Sequence, residues 1–263
     1  MASFTGSSPA STYKDILQID NSNAGIATSL KSVKDGAGNQ SALYVSDDQV
    51  KVRPENDDTT LALDVQNQNG SSKFAVDTTN NYVKALGHQV NTNYAYFGAN
   101  YKDISHYDVN THYPIPFVMG GGSSTNDVDF GTGTDDPDDT FTTADTNTQY
   151  AAQIVPMMWR IPDNITIDAI THIEGADGAT GDTTRMHLKS FTFTSGSTSC
   201  LTAGALLAHN SDITNAGNEQ AYLSTWTIDS ADVDAGKVVL CFFRNDTDES
   251  SYSMNVTIKY HLR

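Results

Sequence analysis

Basic residues are scarce in this chain of 263 residues: 15 Lys and Arg stand against 32 Asp and Glu, a formal net charge of −17. They are scattered and form no run, so a phosphate backbone meets repulsion and nucleic acid is not an expected partner. The two cysteines, Cys200 and Cys241, are too few for a disulfide framework in a chain this long. Cys241 lies inside the apolar run from Val238 to Phe243, where a thiol acts as a small hydrophobe. No apolar run approaches the length of a membrane span, and the opening MASFTGSSPASTYK is polar rather than leader-like. The expectation is a soluble product of the cytoplasm without membrane insertion. Hydrophobic residues make up only 38% of the chain. Gly, Ser, Thr, Asn and Asp fill the difference, and that mixture favours turns and strands over helices.

Motifs that carry chemistry are missing as well. Gly122-Ser123-Ser124-Thr125-Asn126 does not make a nucleophile elbow, and no other serine fits one. Gly131-Thr132-Gly133 lacks the third glycine and following helix of a dinucleotide loop, and Asp234-Ala235-Gly236-Lys237 lacks the upstream glycines of a phosphate loop. The seven histidines form no zinc-type spacing with one another or with the cysteines. Asp135-Asp136-Pro137-Asp138-Asp139 concentrates carboxylates as a calcium site would, but without a calcium loop's closing glutamate. It reads first as a solvated acidic loop. No catalytic residue, cofactor or metal is assigned, and the expectation is a protein that is not an enzyme.

What the chain does contain is strands. Tyr252, Met254, Val256, Ile258, Tyr260 and Leu262 alternate with polar residues, which predicts a strand with one buried face. Ile165, Ile167, Ala169, Thr171 and Ile173 predict a second such face, and Val238 to Phe243 a strand buried on both faces. Tyr222, Trp226 and Ile228 form a further same-face set, and a change of phase near Ser190 predicts a bulge. Ala205–Ala208 and the segment from Ser230 to Ala235 are the places where a helical turn would fit. The fold class is all-β, ending in an antiparallel β-sandwich or jelly roll.

Upstream lies a weak repeat. Ile16–Asp20 resembles Leu61–Asp64, Ala42–Val45 matches Lys73–Val76, and Gln49–Val52 matches Tyr82–Ala85. Strands this short bury too little to offset the entropy of ordering them. Units of this kind therefore stack on each other or on other copies, and a three-chain β shaft provides a shared apolar axis. Phe74, Val76, Val83 and Leu86 are the expected packing residues of the second unit. A sheet within a single chain remains the alternative. Tyr101, His106, Tyr107 and Tyr113 fall in loop-like sequence, as a glycan platform or as packing between subunits.

The phrases LALDVQNQNGSSKFAVDTTNNYVKALG, WRIPDNITIDAI and VDAGKVVLCFF, with the ending MNVTIKYHLR, resemble short fibre-type virion proteins of tailed, marine-type bacteriophages. The resemblance covers about Ile16 to Arg263 and supplies no catalytic residues. It implies a homotrimer in the virion, docked to capsid, portal or tail proteins by its N-terminus, with a distal β domain turned to host surface glycan. The organisation expected is a flexible attachment arm over residues 1–15, a β-repeat shaft over 16–98, a loop-rich connector over 99–150 and a β-sandwich over 151–263. A tail or head fibre leads. A capsid decoration protein, a carbohydrate-binding module and a glycan-degrading spike are the alternatives.

Overall fold

A computed structural model describes residues 16–22, 24–103, 108–117, 128–133, 135–143, 151–177, 180–217, 219–247 and 251–263. Nearly all of its regular structure is strand, and the chain divides into a unit ending at Val90 and a unit beginning at Asn91. The division falls earlier than the sequence suggests. Residues 92–98 open a strand of the second unit, and the described parts of 99–150 belong to that unit too.

The first unit holds two four-stranded antiparallel sheets. One runs β1 (Gln18–Ile19), β2 (Lys31–Lys34), β3 (Gln40–Val45), β4 (Val50–Val52); the other runs β5 (Leu63–Gln66), β6 (Ser72–Asp77), β7 (Tyr82–Ala85), β8 (His88–Gln89). The repeat is sharper than its sequence. Strands β2 and β3 begin at 31 and 40 while β5 and β6 begin at 63 and 72, an offset of 32 residues. The joining turns are copies: Asp35 Oδ1 accepts from the Ala37 and Asn39 amides at 2.9 and 2.8 Å, and Asn67 Oδ1 from the Asn69 and Ser71 amides at 3.2 and 2.8 Å. Each turn has a left-handed glycine at the same place, Gly38 (φ 91°) and Gly70 (φ 76°), as a hairpin with a bulged closing residue requires. The counterpart of β5 is therefore β2, not Ile16–Asp20. Lys31-Ser32-Val33-Lys34 carries one apolar residue, too few to announce a strand.

The second unit is a β-sandwich. Its seven-stranded sheet runs β10 (Tyr113–Ile115), β19 (Lys237–Asn245), β13 (Thr183–Phe193), β14 (Leu201–His209), β17 (Thr227–Ile228), with β11 (Trp159–Arg160) and β15 (Ile213–Thr214) on the sides. Its five-stranded sheet runs β16 (Glu219–Thr225), β12 (Ile165–Asp177), β20 (Ser251–Leu262), β9 (Thr92–Asp103), with β18 (Asp232–Val233) paired to β12. The main core lies between them, with Phe97, Ile170, Val256 and Ile258 from one sheet and Ile115, Leu188, Cys241 and Phe243 from the other. A second core covers the outer side of β19 and β13, where Val238, Leu240, Phe242 and Phe191 meet Phe130, Phe141 and Ile154. Strand β19 is thus buried on both faces, as its unbroken apolar run predicts.

Two local readings need correction. A bulge between Ile167 and Ala169 reverses the phase of β12, so Ile170, His172 and Glu174 point inward while Thr171 and Ile173 point out. The segments expected to hold helical turns instead carry β14 and β18, and the described helix is the short α1 (Ala151–Ile154), continued by a 3₁₀ turn over Val155–Met157. In β13, register shifts on both sides of Ser190 match the expected bulge. Cys200 and Cys241 are both free and buried.

Candidate functional site

In an antiparallel sheet, residues directly opposite one another share a face. In the second repeat, Leu63 and Val83 are both opposite Val76, and Val65 and Ala85 are both opposite Phe74. Leu63, Val65, Phe74, Val76, Val83 and Ala85 therefore form one wholly apolar face. The reverse face pairs Ala75 with Lys84 and Asp77 with Tyr82. There the Lys84 ammonium sits 4.3 Å from the Tyr82 ring centroid. The first repeat follows this plan in part, since Lys31 is the other neighbour opposite Val45. Leu43 faces Val52 and Val45 faces Val50 on one side, while Tyr44 on the other lies beneath Lys51 and Arg53, at 5.6 and 4.9 Å.

Neither apolar face is covered within the described chain. Val50, Val52, Leu63 and Val65 are all exposed, and Phe74 is 38% exposed. Among the described residues up to Val90, Ala75 is the single buried hydrophobic. Of the four expected packing residues, Phe74, Val76 and Val83 lie together on the apolar face. Leu86 does not: with Gly87 it forms the two-residue turn between β7 and β8, both at positive φ (53° and 85°).

The proposed glycan platform fares differently. His106 and Tyr107 lie outside the described residues, and Tyr101 lies in β9, where only its backbone is described. Tyr113 is in β10 and 4% exposed, with its hydroxyl accepting from the Asp108 amide at 3.0 Å. Its ring belongs to the main core and offers no face to a ligand.

The acidic loop at 135–139 holds a cation supplied by the protein itself. Lys189 of β13 is 1% exposed, and its ammonium donates to Asp136 Oδ2 at 2.8 Å, lies 2.7 Å from Asp139 Oδ1 and reaches the Pro137 carbonyl. Gly204 of β14 lets this loop approach; its amide donates to the Asp139 carbonyl at 2.9 Å, and a Cβ there would stand 2.7 Å from the Asp139 Cα. The long Gly- and Asp-rich segment is therefore, in its described part, the cover of the second core. No group of three or more His, Cys, Asp or Glu suited to a metal ion occurs among the described residues.

Two buried polar clusters remain. The Trp226 indole donates to His172 Nδ1 at 2.7 Å, so the imidazole proton sits on Nε2, 3.5 Å from Glu174 Oε2. Glu174 Oε1 in turn accepts from Thr184 Oγ1 at 2.8 Å, linking β12 to β13 across the sandwich. All four side chains are buried. The Thr184–Glu174 bond ties the two sheets together, while His172 Nε2 and Glu174 Oε2 face each other without a hydrogen bond. Near the middle of β13, His187 lies between His112 and His209, with ring centroids 5.1 and 6.4 Å apart. Burial, then the charges of His112, Arg185, His209 and Arg244, push the His187 pKa down to about 3. Burial also lowers that of His112.

A histidine kept neutral in the fold and free to charge when unfolded stabilises the protein fully above its unfolded pKa. That stability is lost as pH falls from about 6.5 toward about 3. Carboxylates respond mainly near pH 4 and below, so the window from pH 6.5 to 4.5 belongs to the histidines. Between those limits His187 alone is expected to lower stability by about 2–3 kcal/mol, at about 1.4 kcal/mol per pH unit for one proton. Urea melts of the native protein and of His187→Phe at both pH values test this. The native protein should lose the greater stability by about that margin, and equal losses would contradict it.

No family model matches the chain, and no curated protein matches it.

Proposed function

We propose that this protein is a non-enzymatic structural protein, a homotrimeric fibre with a β-repeat stalk over residues 16–90 and a β-sandwich head beyond it. One observation carries the reading: both repeat sheets have an apolar face that nothing in the described chain covers. Each has, on its reverse, a polar face organised around a tyrosine. A sheet that exposes one apolar face gains its stability by meeting another such face. Three copies around one axis bury all of them at once. The head stands apart energetically, because it has two hydrophobic cores of its own.

The virion as its location rests on the phrase-level resemblance to fibre-type bacteriophage proteins and on the acidic, strand-rich composition. In this reading the N-terminal residues dock on the particle and the head faces the host. Antibody raised against the head should label purified particles at the tips of projections. Particles that contain no such protein would remove the virion from the proposal and leave the self-associating stalk to be judged separately.

A further inference from the structure

The outer face of the five-stranded sheet carries a group of large apolar and aromatic side chains that the described chain leaves open. Tyr94, Tyr96, Ile173 and Leu223 are exposed by 55, 46, 54 and 74%. Register puts them on one plane: Leu223 is opposite Ile173 and Ile173 opposite Asn255, while on the next row Thr171 is opposite Thr257 and Thr257 opposite Tyr96. Tyr94 is opposite Lys259, and next to that pair the bulge residue Asp168 lies 2.9 Å from His261 Nδ1. The acidic pair Asp177 and Glu219 stands at its end.

A charge-poor plane is unusual in a chain of net charge −17. Copies of so acidic a protein repel one another over most of their surface, and like charges brought together at an interface are costly. They approach most readily where carboxylates are few and aromatic and apolar side chains are concentrated, as in the uncharged central rows Leu223–Ile173–Asn255 and Thr171–Thr257–Tyr96. Chain connectivity favours the same occupant. Tyr94 follows Val90, where the first unit ends, by four residues, a span of at most about 14 Å of extended chain. In an assembled stalk every copy holds its Tyr94 that close to its own stalk end. A soluble glycan is a weaker fit, since Ile173 and Leu223 offer it neither a hydrogen bond nor a flat ring.

We infer that this outer sheet face is a contact between heads, packing against a neighbouring copy of the same chain within the fibre. The inference rests on the trimeric stalk proposed above.

The test uses full-length Leu223→Cys and Thr225→Cys, with Ser195→Cys as an exposed loop control. Cys200 and Cys241 are buried, so each variant presents one accessible thiol. Maleimide labelling rates and solution mass are measured on the same samples. A trimer whose face thiols react at least tenfold more slowly than the Ser195→Cys thiol supports the contact. A trimer whose face thiols react as fast as the control overturns the contact and leaves the stalk standing. Fast labelling that slows only when host surface polysaccharide is added overturns it in favour of a glycan site. A folded monomer overturns both readings.

Discussion

Val76→Asp combined with Val83→Asp is expected to reduce the assembled protein to folded-head monomers. The two valines are directly opposite each other in the middle of the apolar face of the second repeat. Each fully buried valine contributes about 1.5–3 kcal/mol, and in a trimer the loss occurs in three copies at once. The replacement also sets two carboxylates opposite one another, which is itself unfavourable. The head has its own cores and should keep its near-ultraviolet signal and a separate melting transition. Lys84→Gln, on the reverse face, removes only the contact with Tyr82 and should leave the mass of the assembly unchanged. Sedimentation velocity on the three proteins separates the outcomes. A double variant that sediments like the native protein would show that this face is not where the copies meet.

Lys189→Met is the second change with a large expected effect. Methionine fills much of the space, so the loss is electrostatic rather than a cavity. The Pro137 carbonyl loses its donor, and Asp136 and Asp139 lose the cation between them. Breaking a fully buried ion pair costs about 3–5 kcal/mol. Here both carboxylates reach water, so the expected destabilisation of the head is about 2–4 kcal/mol. The loop should detach first, baring Phe130 and Phe141, whose rings stack at 5.6 Å beneath it. A urea titration gives the stability, and limited proteolysis shows whether cleavage begins in the 135–143 segment. Unchanged stability would mean that the loop is held by its apolar contacts alone. Calcium should not move the melting temperature of the native protein, because the Lys189 ammonium already occupies the space among these oxygens.

How much of this was readable beforehand differs from one element to the next. Strand β20 follows its alternation from Tyr252 through Met254 and Val256 to Ile258, all buried, but at its end Tyr260 is only partly buried and Leu262 is exposed. Strand β12 has equally regular letters, but the bulge after Ile167 reverses their meaning, and a bulge has no signature of its own in an Ile–Thr alternation. The apolar face of the repeats was visible at Phe74, Val76 and Val83. Its first-repeat counterpart needed the turn chemistry of Asp35 and Asn67, because β2 has almost no apolar content. Lys189 and the acidic loop are about fifty residues apart in sequence, and neither residue type signals the other. Tyr113 looked like loop because Pro114 follows it and the strand is only three residues long. Pairing with β19 makes it a core residue, and that pairing is a tertiary fact.

The stalk is the centre of this account, and sedimentation equilibrium of the full-length protein tests it most directly. The expected result is one species at three times 28.3 kDa, persisting from high to low micromolar concentration. A species of 28.3 kDa whose first 90 residues resist proteolysis as well as its head does would contradict it.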